Sequence, residues 1–135
     1  MDNLIARVAA AAETNGDTAR KAVALVVDFI KREAPESAVD TLLAKAPALN
    51  AIVASASSTG GEGLSGTLKG LMGTGGGAMG GGGLMALGGD LMGLGLGMGQ
   101  IQAVGKEVLD YARENAGDDV IGEISAAIPG LSQFI

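Results

Sequence analysis

Residues 17–53 and 99–135 repeat one pattern in register, at a constant offset of 82 positions and without a gap. Six pairs are identical: Val26 with Val108, Asp28 with Asp110, Ala34 with Ala116, Ala44 with Ala126, Pro47 with Pro129 and Leu49 with Leu131. Others match in kind, as in Phe29 with Tyr111, Lys31 with Arg113, Val39 with Ile121, Leu42 with Ile124, and Ile52-Val53 with Phe134-Ile135. A fixed period of self-similarity constrains architecture before local propensity is weighed, because equivalent side chains turn to equivalent surroundings.

The period inside each copy is helical. Val23, Val26, Val27 and Ile30 follow i, i+3, i+4, i+7, and Ala22, Leu25 and Phe29 widen the stripe, so a long helix to about Glu33 is predicted. Asp17 is the expected N-cap. Ala34-Pro35 ends that helix, and the next runs from Pro35 to about Ala46 with Ala38, Val39, Leu42 and Leu43 inward. Pro47 closes it, leaving Leu49, Ile52 and Val53 as a short apolar clasp. In the second copy Val104, Val108, Leu109 and Ala112 mark the long helix, and Val120, Ile121, Ile124 and Ile128 the next. Leu131, Phe134 and Ile135 form the second clasp. Residues 3–13 read as a first helix carrying Leu4, Ile5 and Val8, and Leu84 to Leu96 as its glycine-diluted counterpart.

The fold expected is all-α: two pseudo-equivalent three-helix repeats, residues 1–55 and 84–135, packing as one unit and joined by a Gly/Met-rich connection over 56–83. Ala, Leu, Ile, Val and Met dominate the apolar residues, with Phe29, Tyr111 and Phe134 as the only aromatics. Helices packed through side chains this small approach closely.

Composition excludes several chemistries. Nine basic residues against fifteen acidic give a net charge of −6, without the cationic face that nucleic acid requires. No histidine or cysteine is present, so neither a disulfide framework nor a thiolate metal site exists, and the serines lack a histidine base. Asp118, Asp119 and Glu123 sit where a helix N-terminus favours acid, without the spacing of a calcium loop. Asp28 is expected to pair with Lys31 and Arg32, and Asp110 with Lys106 and Arg113, as on ordinary solvated helix faces. Neither an enzyme, a cofactor nor a metal is expected. Asp2 stands where a secretion signal would be basic, which reads as a cytoplasmic chain.

Gly60 to Gly99 holds 19 of the 24 glycines and five of the six methionines. A phosphate loop is not made here, because Lys69 is followed by Gly70 and Leu71 rather than by Ser or Thr. Asp90 is the only charge from Gly70 to Gly105, yet eleven glycines between Gly70 and Gly89 argue against a spanning helix. Ordinary flexible linkers are polar. This tract is rich in Gly, Leu and Met, and it reads as a sticky surface that self-associates or binds a protein partner. The residues expected to carry contact are Leu71, Met72, Met79, Leu84, Met85, Leu87, Leu91 and Met92. The alternative use of the same residues is association with a membrane or another hydrophobic surface.

VVDFIKREAPESAVDTLLAKAPAL and VLDYARENAGDDVIGEISAAIPGL, with LMALGGDLMGLGLGMGQIQAV before the second, together resemble the YidB-like and VcgC/VcgE-like groups of small bacterial proteins. The resemblance implies a helical bacterial protein with a glycine-rich tract. It carries no activity, cofactor or catalytic residue with it.

Overall fold

The computed structural model describes residues 2–54, 83–128, 130 and 131, and the regular structure among them is entirely helical. Helices α1 (Asp2–Ala11), α2 (Gly16–Glu33) and α3 (Glu36–Lys45) are followed by α4 over residues 47–54. The second half holds α5 (Gly83–Gly93), α6 (Met98–Ala116) and α7 (Asp118–Ala127). Adding 82 to 36–45 gives 118–127, the span of α7; 16–33 becomes 98–115 against α6, and 2–11 becomes 84–93 against α5.

Helix ends follow local chemistry. The side chain of Asn15, in extended conformation, accepts from the Thr18 backbone N–H at 2.8 Å. Asn15 is therefore the N-cap of α2, and the expectation for Asp17 is corrected: Asp17 lies in the first turn, where its charge meets the helix dipole. Both short first helices close alike. After α1, Glu13 takes φ +49° and the Thr14 N–H donates to the Ala9 carbonyl at 2.9 Å. After α5, Gly95 takes φ +88° and the Leu96 N–H donates to the Leu91 carbonyl at 3.4 Å. These are left-handed helix caps, natural for glycine and strained for Glu13. The predicted clasp after Pro47 is a helix, α4, because proline is tolerated in a first helical turn.

The halves interlock. α1 packs against α6, in the other half, about as extensively as against α2, and α5 packs more on α2 than on its neighbour α6. α2 crosses α6, and α3 packs on both α6 and α7. Arg7 of α1 ties the exchange together, donating from Nε to Glu107 and from Nη1 to Glu114 of α6, both at 3.1 Å. Gln100 of α6 donates to the Ala12 carbonyl at the end of α1. Lys45 reaches the Ala116 carbonyl at 3.4 Å, a cation at the negative end of α6. Asp28 pairs with Arg32 one turn on at 3.1 Å, but Arg113 donates to Asp118 across the α6–α7 junction. The pairing expected between Arg113 and Asp110 is thereby corrected, since the tight turn at Gly117 brings the first acid of α7 alongside.

The core is aliphatic. Leu4, Val8, Val23, Val27, Leu42, Leu49, Val104, Val108 and Ile124 are fully enclosed, and alanines at 12, 19, 22, 38, 46 and 112 let the helices approach. No polar or charged side chain is buried among the described residues. Among positions 82 apart, Leu42 and Ile124 are each 0% exposed, whereas Leu4 is enclosed and Ala86 is exposed.

Candidate functional site

Packing is incomplete between α2, α5 and α6. An apolar groove of about 390 Å³ runs there, walled by Val26, Phe29 and Ile30 of α2, by Leu87, Gly88, Gly89, Leu91 and Met92 of α5, and by Ile101, Gly105 and Leu109 of α6. Met98 and Leu131 complete it, and Gln102 is the only polar side chain among these lining residues.

The groove has a sequence cause. Its wall includes Gly88, Gly89 and Gly105, and the residues 82 positions earlier are Ala6, Arg7 and Val23. Val23, 82 positions before Gly105, is fully buried. A Cβ on Gly88, Gly89 or Gly105 would meet no heavy atom within 4 Å. The missing side chains thus leave space that no neighbour has closed. Maintaining it is unfavourable, since each helical glycine costs about 1 kcal/mol relative to alanine. Gly105→Ala is accordingly expected to stabilise the fold by about 1 kcal/mol, read as a higher thermal midpoint by circular dichroism. An unchanged or lower midpoint would mean that the glycine is required by close packing.

Two methionines stand at the mouth. Met92 is 54% exposed and Met98 71%, and they are the large apolar side chains left exposed among the described residues. Asp90, one residue before Leu91 on α5, is partly buried, and that burial holds its carboxyl above the usual carboxylate range while the charge of Arg32 pulls it down. The position equivalent to Asp90 is Val8, which is fully enclosed. A single carboxyl facing one guanidinium already paired with Asp28 supplies no acid–base couple. Among the described residues no group of three acidic side chains is arranged to hold a metal ion.

The residues expected to make contact fall into three sets. Leu71, Met72 and Met79 lie outside the described residues. Leu84 and Met85 belong to the first turn of α5. Leu87 and Met92 line the groove, whereas Leu91 is only 1% exposed and forms part of the core as well as the groove wall. Phe29, Met98, Ile101 and Gly105 were not among the expected contact residues. Met98 could have been suspected from its place in the Met-rich tract, but Phe29 reads as part of the apolar stripe of α2. Comparison with family models, curated proteins and solved structures finds no match for this chain. No helix among the described residues is long and apolar enough to cross a membrane.

Proposed function

We propose that the chain is a non-catalytic protein-interaction module, which binds an apolar segment of a protein partner or of a second copy through the α2–α5–α6 groove and its methionine mouth. The observation that supports it is the combination of an apolar groove with Met92 and Met98 exposed beside it. Ligand pockets span roughly 300–1,000 Å³, and this one is at the small end, suited to a few side chains. Methionine is unbranched and adapts to irregular apolar partners. The two halves are, on this reading, pseudo-equivalent units, of which only the second has exchanged its core filling for a docking groove. The coincidence of helix bounds at the offset of 82 supports that division of labour.

Filling the groove tests the proposal. Gly105→Leu and Met98→Asp should each leave helix content intact while abolishing concentration-dependent self-association in light scattering, or capture of the partner that the native chain retains. Both variants behaving like the native chain would overturn the proposal. If instead the native chain floats with phosphatidylcholine vesicles and Met98→Asp does not, the hydrophobic-surface alternative replaces it.

A further inference from the structure

We propose that the α2–α5–α6 groove is one half of a two-fold symmetric interface, in which Met92 and Met98 of each copy enter the groove of a second copy. This rests on the reading of the groove as a protein-docking site and names its occupant. Recess and projection share one face: the groove is the recess, and Met92 and Met98 at its mouth, 54% and 71% exposed, are the projections. A two-fold axis presents the same patch from both partners, so a patch that carries its own recess and its own projection is matched twice in one contact. A small apolar ligand seated in the groove would leave the outer side of Met98 in water. A second copy covers it and returns the same contact.

Charge selects this face. At a net charge of −6 two copies repel one another in most approaches. Gly83 to Gly105, which hold α5 and the start of α6, carry a single charge, Asp90, and none of the groove-lining residues is charged. Asp90 is partly buried and is attracted by the guanidinium of Arg32 in its own chain. Two copies therefore meet here without setting bare like charges against each other. Depletion of charge together with enrichment in methionine is the composition of the buried centre of a protein interface.

The backbone offers no obstacle to the approach. Ala86, Gly89 and Gly93 are exposed on α5, and a Cβ on either glycine would meet no heavy atom within 4 Å. Helices approach to a distance set by the side chains between them, and these are the smallest available.

The test begins with sedimentation velocity of the full native chain from micromolar to millimolar concentration, where a species of twice 13.2 kDa is expected to form. Met98→Asp should raise its dissociation constant by at least about tenfold, with the circular dichroism of the monomer unchanged. The native chain supplies a second readout, immune to folding defects in a variant: isotope-filtered nuclear Overhauser spectra of a mixed labelled and unlabelled sample should show Met98 methyl contacts to Leu87 or Ile101 of the other copy. A dimer without those intermolecular contacts overturns the proposal, because it would use another face. A native chain that stays monomeric overturns it as well, and an added leucine-rich amphipathic peptide then decides the fate of the broader reading. Shifts of the Met92 and Met98 methyls on adding that peptide to the monomer would leave the docking groove standing without the second copy, whereas a monomer indifferent to the peptide would remove both.

Discussion

Residues 1–54 and 83–135, produced as separate polypeptides, are expected to be largely unfolded alone and to regain helix when mixed in equal amounts. The reason is the exchange of first helices. α1 packs on α6 about as extensively as on α2, so a lone first half loses about half of the cover over a helix whose Leu4 and Val8 are fully enclosed. Fully burying a side chain of that kind contributes roughly 1.5–3 kcal/mol, and native domains are stable by only about 5–15 kcal/mol. A lone second half loses α2 from beneath α5, a helix weakened by Gly88, Gly89 and Gly93. Nor is size on the side of either fragment, because chains this short bury a smaller share of their surface. Circular dichroism of each fragment and of the titrated mixture decides it. A cooperative thermal transition in either half alone would contradict the interlocked packing.

Truncation of the core should be nearly as damaging. Leu42→Ala and Ile124→Ala are each expected to cost about 2–5 kcal/mol, since both side chains are fully enclosed and lie on α3 and α7, which pack together. Urea denaturation gives the measure: the midpoint should fall by a comparable amount in each variant while the slope is preserved. A loss below about 1 kcal/mol at either position would show that the surroundings collapse onto the cavity or that the residue is less enclosed than its partner. Neighbouring exposed positions provide the contrast, because substitutions there usually stay within about 0.5 kcal/mol.

Much of the helical plan was legible because burial at a period of 3.6 is written directly into residue order. Val23, Val26, Val27 and Ile30 are all buried, as their spacing predicts, and so are Val120, Ile121 and Ile124. Ends were harder. Asn15, Gly16 and Asp17 offer two competing caps within three residues, and the one realised is Asn15, whose side chain accepts from the Thr18 N–H. Pro47 was read as a terminator although it also fits the first turn of a new helix, which is how α4 arises. Leu91 and Met92 looked alike in sequence. Helix rotation separates them, enclosing the first and exposing the second.

Residue order alone determined the helical class and the faces turned inward, because each depends on neighbours a few positions apart along the chain. Which helix covers which face was decided only in three dimensions: an apolar stripe on α1 is satisfied equally by α2 or α6, and packing gave it both. The groove belongs to the same category. Glycine at 88, 89 and 105 signifies nothing until α2, α5 and α6 are brought together, for an absent side chain becomes a cavity only when the surrounding walls fail to close over it.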